Sequence, residues 1–355
     1  MKKTLIALTL ATLPVAAFAD VTLYGQIKAG VEVSKIKTGS GANQGKSKTA
    51  SEIADFGSRI GFKGHEHIGS GLNAIWQIEN KVSVAGGGEW AGRESFIGLE
   101  GGFGKIRVGK LATQLDDMDQ IDPWEYENPA LGLGVFTRTG KKVTSIKYDT
   151  PVFGGFSANI QYTPRDNANP ADKYKHQQPA KDAYYGGLNY ENSGFYAQYG
   201  VGVQKNAYAK PASGKNKTGH VHRIEGGYDA NNLFVAISGQ YDKGFTDSKS
   251  FANAIGIDDP SNVGLEVKEV AVTGAYRFGN VTPRASYAHG WDHKNLSSQK
   301  KETFKGTKYD QVIVGADYDF SKRTTALVSA GWLRIGKGST KYQNTAGLVG
   351  VRHKF

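Results

Sequence analysis

The chain has 355 residues, with 44 Lys and Arg against 33 Asp and Glu, a formal charge of +11, 47 glycines, 10 prolines and no cysteine. Without cysteine no disulfide can staple the fold, so stability has to come from backbone pairing and burial. Beyond residue 19 no run approaches the ~18 apolar residues of a membrane helix, which excludes a helical membrane bundle; the mean hydropathy of -0.45 suits a barrel whose lumen-facing residues dilute its lipid-facing ones.

At the amino terminus, Lys2 and Lys3 precede an apolar run from Leu5 to Val15 and a small-x-small site at Ala17-Phe18-Ala19. That order is a cleaved secretory signal over 1–19, with Asp20 the first mature residue. Without Lys2 and Lys3 the formal charge is +9. From 20 to 355 no linker or composition shift divides the chain, so a single domain is expected.

From Asp20 onward, strands that alternate apolar and polar residues are joined by short turns and by long polar segments in turn. Short turns carry Gly, Asn or Lys-Arg, as at His67-Ile68-Gly69-Ser70-Gly71, Gly101-Gly102, Asn192-Ser193-Gly194, Ala230-Asn231-Asn232, Gly279-Asn280 and Ser321-Lys322-Arg323, which are hairpin connections. The long segments are 36–50, 167–181, 205–217, 244–264 and 294–308. Counting the alternating stretches gives about sixteen strands, an even number as single-chain bacterial barrels require. Phe156, Ala158, Ile160 and Tyr162 are expected outward, against Ser157, Asn159 and Gln161 inward. Val270, Val272, Tyr276 and Phe278 oppose Glu269, Thr273 and Arg277. Val312, Val314, Ala316, Tyr318 and Phe320 oppose Gln311, Gly315, Asp317 and Asp319, with Ile313 an apolar exception on the inner face. No segment supplies helices or a second sheet to cover an apolar face. The pattern therefore asks for lipid outside and water inside: an all-β, transmembrane antiparallel barrel with short turns at one end and long loops at the other. About sixteen strands leave an aqueous channel, whereas eight would fill with their own side chains.

One long segment differs from the rest. Between Arg107-Val108-Gly109-Lys110 and Lys141-Lys142-Val143-Thr144 lie about thirty residues, long by ordinary loop lengths. Asp116, Asp117, Asp119, Asp122, Glu125 and Glu127 crowd its first half, and no Lys or Arg falls between Leu111 and Glu127. An acidic loop in a basic chain is expected to fold into the lumen and face basic wall residues, with that attraction holding it inward and setting a transverse field across a narrow passage. Alternation places Lys28 inward beside Gln26, Arg59 on the face of Lys63, and Lys141 on the face of Ser145 and Lys147. Arg93 shares parity with Ile97 and Leu99, which favours lipid.

Other functions find little support. The cations are scattered among strands and loops without a basic run or recognition helix, so nucleic acid is not an expected partner. His65-Glu66-His67 sits in a turn without a third ligand nearby, so no metal is assigned. Gly101 to Gly104 precedes no helix and makes no phosphate cradle. There is no Gly-x-Ser-x-Gly, and no His lies near a distinctive Ser or Asp motif, so no catalytic residue and no cofactor are assigned.

Several runs carry a family resemblance: Asp20-Val-Thr-Leu-Tyr-Gly25, Ser58-Arg-Ile-Gly-Phe-Lys-Gly64, Gly71-Leu-Asn-Ala-Ile-Trp76-Gln-Ile-Glu79, Glu94-Ser-Phe-Ile-Gly-Leu-Glu100, the stretches 275–290 and 309–324, and Arg352-His-Lys-Phe355. The chain resembles the Gram-negative general porins of the Neisseria type, and within them the PorB class, from Asp20 to Phe355 except in the long loops. The resemblance implies a homotrimer of sixteen-stranded barrels in the outer membrane, each pore narrowed by its third extracellular loop. It implies a pore arginine three residues before the Phe of Phe-Ile-Gly-Leu, which lands on Arg93, and a terminal aromatic, Phe355, read as an assembly signal by the outer-membrane assembly machinery. Outer-membrane lipids and lipopolysaccharide are the expected surroundings, and the long loops are available to host surface ligands. The expected function is passive diffusion of ions and small hydrophilic solutes with a weak anion preference. The alternative is a surface adhesion barrel that conducts little.

Overall fold

Sixteen antiparallel strands run around a closed wall. The computed structural model describes residues 20–39, 44–86, 88–124, 126–210, 215–257, 263–298 and 302–355; the expected leader 1–19 and Glu125 lie outside them. In chain order the strands are β1 (Asp20–Thr38), β2 (Ala50–Asp55 and Arg59–Gly69, interrupted at 56–58), β3 (Leu72–Val82), β4 (Ser95–Gly101), β5 (Gly104–Ala112), β6 (Lys142–Asp149), β7 (Phe156–Thr163) and β8 (Ala183–Asn192). They continue with β9 (Phe195–Lys210), β10 (Lys215–Ala230), β11 (Leu233–Asp247), β12 (Gly264–Tyr276), β13 (Val281–Gly290), β14 (Tyr309–Asp319), β15 (Thr324–Ile335) and β16 (Tyr342–Lys354). Each pairs with the next, and β1 closes against β16 from Gln26↔Lys354 to Thr38↔Tyr342. None of these sixteen strands is left with an edge among the described residues, which is what a bilayer demands of a sheet. No helix among the described residues is long and apolar enough to cross a membrane. The crossing is made by strands.

The alternation expected from the sequence is the alternation observed. Val312, Val314, Tyr318 and Phe320 are exposed on the outer surface, while Gln311 and Ile313 are fully buried inside. Val270 and Val272 face out where Glu269, Ala271 and Thr273 are buried. Ring pairs sit on the outer wall near the short-turn end, among them Phe156–Tyr190, Phe195–Tyr228, Tyr276–Phe278 and Tyr318–Phe320. Amphipathic rings belong at a membrane–water boundary.

Three departures matter. Residues 205–217, expected as a long loop, are mostly wall: β9 and β10 pair on to Lys210↔Lys215 after a register shift between Gln204 and Tyr208. Asn206 takes a positive φ of 50° there; the bulge resets the alternation and makes the strand look like loop. The second departure is at 56–58, where the chain leaves the ladder. Phe56 turns inward and is 1% exposed, and Ser58 is buried with it, so strand parity cannot be carried across this break. The third is Ile313. The sequence marks it as an exception; the structure shows it as one of a set. Ala236, Val267, Ala271, Ala288, Leu333 and Leu348 are also buried on the inner wall, in one cluster with residues of the loop between β5 and β6.

Candidate functional site: the lumen loop and the wall it faces

The loop 113–141 leaves the end of β5 and returns at the start of β6, and between them it lies inside the barrel. Trp124, Leu131, Leu133, Val135 and Phe136 are at most 1% exposed, packed against the inner-wall cluster. Two short helical turns, Gln114–Asp117 and Gly134–Thr137, begin and end the inserted part. At the closest approach the wall residue is Gly331, where a Cβ would overlap the Ala130 carbonyl. Only glycine lets the loop backbone come so near.

Backbone carbonyls of the loop need partners once they leave water, and wall side chains supply them. Arg223 of β10 donates to Leu115 O at 3.3 Å and to Met118 O. Arg284 of β13 donates to Pro123 O at 2.9 Å and lies over the Trp124 ring at 4.4 Å. Lys28 Nζ reaches Trp124 O at 3.4 Å, and Gln311 donates to Pro129 O at 2.8 Å and Gly132 O at 2.7 Å. Trp124 Nε1 donates to Ser286 Oγ at 2.8 Å, and Thr273 Oγ1 to Ile121 O at 2.5 Å. Buried hydrogen bonds with a charged partner contribute roughly 1.5–3 kcal/mol each. A fully buried large apolar side chain contributes roughly as much.

The acids act elsewhere. Glu127 pairs with Lys81 of β3, Asp116 with Lys142 at 2.5 Å and Asp117 with Lys147 at 2.7 Å. Lys81 and Glu127 are each about half exposed, at 46% and 54%, and such a pair is worth ~0–1 kcal/mol. Asp122 turns back on its own loop and accepts from Leu133 N at 2.9 Å, while Asp119 and Asp122 lie within electrostatic reach of Arg223. Packing and carbonyl clasps fasten the loop alongside these pairs, of which Lys147–Asp117 has its lysine side chain 1% exposed. Attraction to wall lysines is thus one part of what holds the loop inward, beside packing and main-chain hydrogen bonds.

The nominated wall cations separate. Arg59 stands cross-strand from Gln26 and from Lys81, all on the inner face. Lys28 is also inward, but 2% exposed and spent on the loop carbonyl and the Tyr126 ring at 4.9 Å. Arg93 precedes β4 on a bend, so the lipid-facing parity of Ile97 and Leu99 does not extend to it; its guanidinium pairs with the inner-wall carboxylate Glu79, which also accepts from Tyr24 Oη at 3.0 Å. Lys141 sits at the root of the loop over the Phe245 ring at 4.9 Å. Burial pushes its ammonium below the usual lysine range against the pull of Asp242 and Asp247. Lys81, Lys142, Arg223 and Arg284 were not nominated. Lys81 could have been, since it continues the parity of Glu79; the two arginines needed knowledge of where the loop lands.

No group of His, Asp or Glu with metal-holding geometry occurs among the described residues. His65 and Glu66 are exposed at the strand end, and His67 Nδ1 faces Asn73 Oδ1 at 3.1 Å. At the closing seam Gly25 and Phe355 exchange both backbone hydrogen bonds at 3.1 Å.

The family profile described as Gram-negative porin matches residues 28–355. The chain is similar to the major outer membrane protein P.IB of Neisseria sicca, 55% identical over 372 residues with all of both chains covered. Among solved structures it is similar in fold to an anion-selective porin from Comamonas acidovorans, with a TM-score of 0.67, 20% identity and coverage of 95% of this chain and 100% of that one. It is likewise similar to OmpT of Vibrio cholerae in its trimer form, with a TM-score of 0.64, 16% identity and coverage of 95% and 99%.

Proposed function

Because this chain belongs to the Gram-negative porin family, we propose that loop 113–141 forms the narrowest part of its conduit and sets a weak preference for anions. The protein is a multi-pass β-barrel of the bacterial outer membrane and a general diffusion channel, not an enzyme. The observation that carries the proposal is the seating of the loop on one side of the inner wall. Its exposed acids are Asp117, Asp119 and Glu127, and Glu127 reaches Lys81, which stands cross-strand from Arg59. Fixed charges of both signs lining a thin water column, between low-dielectric walls, act on a passing ion more strongly than distant loop charges do. The net +9 of the mature chain tips the balance toward anions, in the direction of the anion-selective relative by fold.

The rest of the reading follows the family. Residues 1–19 are removed on export, the long loops face outward, lipopolysaccharide borders their rim, and Phe355 is read by the assembly machinery. The working unit is a homotrimer, as in the trimer form of OmpT. Support for a protomer face comes from the outer wall: exposed apolar strand residues of β1–β6, β15 and β16 are aliphatic, such as Val21, Leu23, Ile97, Val108 and Val349, whereas Phe156, Tyr184, Phe195, Tyr276 and Tyr318 lie on β7–β14. Rings belong where lipid headgroups are, and a flat aliphatic face suits close packing of copies.

Reversal potentials of the purified channel in a planar bilayer under a salt gradient test the constriction. The triple variant D117N/D119N/E127Q should shift toward anions, and R59Q/K81Q toward cations. Both shifts should shrink at 1 M salt, where the Debye length is only ~3 Å. Wild-type potentials from both variants at low salt would place the selectivity elsewhere.

A further inference from the structure

Phe251 stands where three loops meet. It lies on the helix Ser248–Asn253, in the loop between β11 and β12. The helix is fixed at its start by Asp247, which accepts from Ser250 N at 2.7 Å, and just beyond its end by Tyr342 Oη, which donates to Ile255 O at 3.1 Å. The ring is 8% exposed and shares a core with Trp124, Phe136 and Leu333. Arg138 of the lumen loop places its guanidinium over this ring, 5.1 Å from the centroid. His293, from the loop between β13 and β14, meets the same ring edge-on at 4.4 Å.

Arg138 is the hub on the lumen side. Its Nη1 donates to Glu269 Oε1 at 2.5 Å and to Val135 O at 2.7 Å, and its Nη2 lies 3.9 Å from Asp242. Glu269 in turn accepts from Tyr309 Oη at 2.9 Å and from Gln240 Nε2 at 2.8 Å, and Gln240 also donates to Phe136 O at 3.1 Å. The carboxylate fixes where the guanidinium sits, and an aromatic face against a planar guanidinium fixes how it is turned. Without the ring, Arg138 would keep its charge partner and lose its orientation. The turn 134–139 that hangs from it would then move.

We propose that Phe251 is a positioning residue for the constriction: by clamping Arg138 it ties the returning arm of the lumen loop to an outer loop of the barrel. What binds or shifts the outer loop is thereby transmitted to the passage. This inference rests on the reading that loop 113–141 lines the narrowest part.

Single-channel recording on the full-length protein tests it. F251A should raise open-channel current noise several-fold and move the reversal potential. F251L, which keeps apolar bulk but removes the ring face, should fold as the wild type and still be noisy, while F251W should restore quiet current. K249A, an exposed change on the same helix, should leave the current unchanged. Adding R138A to F251L should make the current no noisier than R138A alone, since both act through one contact. Wild-type noise and reversal potential in F251L channels that still migrate as heat-sensitive oligomers would overturn the proposal, and F251L decides the matter if F251A fails to assemble. If D117N/D119N/E127Q shifts the potential while F251L is silent, only this inference fails. If both are silent, the constriction reading fails with it.

Discussion

Arg223 and Gly331 show two ways in which a single wall residue supports the lumen loop. Arg223 and Glu225 are fully buried, 2.9 Å apart, and Arg223 also serves two loop carbonyls. R223A would strand a carboxylate and two carbonyls, and breaking one partner of such a pair costs about 3–5 kcal/mol. The temperature at which the folded band is lost on a semi-native gel should fall sharply for R223A, and less for R223M/E225M, which removes both charges. Gly331 supports by absence. In G331V the side chain has to displace Ala130, an overpacking cost of about 1–3 kcal/mol, and single-channel conductance should change while the circular dichroism stays that of a β-barrel. An unchanged conductance would mean that the loop backbone yields without moving its acidic edge.

Among elements, the loop between β13 and β14 carries a pH response. His293 is buried against Phe251, and burial, reinforced by the nearby Arg138 charge and opposed by Asp292, depresses its imidazole to about 3. Desolvation pushes the Asp292 carboxyl up, but N–H groups of Lys308, Thr307 and Gly306 outweigh it and hold it below the usual carboxylate range. Both signs agree. Between the unfolded value of His, ~6.5, and its folded value, the opened loop binds the proton that the closed loop refuses, so closure weakens as pH falls. The Asp292 contribution is present above ~3.9 and lost as pH drops through its lowered folded value. Protease nicking of this loop should rise from pH 6.5 down to pH 4, and H293F should flatten that rise. The strands themselves were legible because each has to satisfy two solvents at once, and Val312–Ile313–Val314 told even its exception truthfully. Parity failed where the chain leaves the ladder, at 56–58 and at Arg93, since a bend erases the relation between residue number and face. The landing site was hidden for another reason: Ala236, Ala271 and Ala288 are small residues that suit any wall, and only the loop lying on them makes them a core.

For the whole molecule, closure and conduction come apart at Phe355. Its backbone completes the seam with Gly25 and its ring rests against the same residue, far along the chain from the loop. Deleting Phe355 should lower the amount of folded protein in the outer membrane, while the channels that do assemble should conduct as wild type. Equal insertion would remove the assembly role. The oligomer that forms should be heat-sensitive and nearly all β by circular dichroism.

A lumen loop secured largely by its carbonyls and its apolar underside leaves less structural duty to its exposed edge, where Glu127 pairs with Lys81 at the surface. Lineages under pressure from toxic solutes, or from immune recognition of charge, can rewrite that edge one codon at a time without passing through unfolded intermediates. The clasp residues Arg223, Arg284 and Gln311, each of which grips loop main chain, should change more slowly than the acids they present. Permeability would then drift while the barrel stands still.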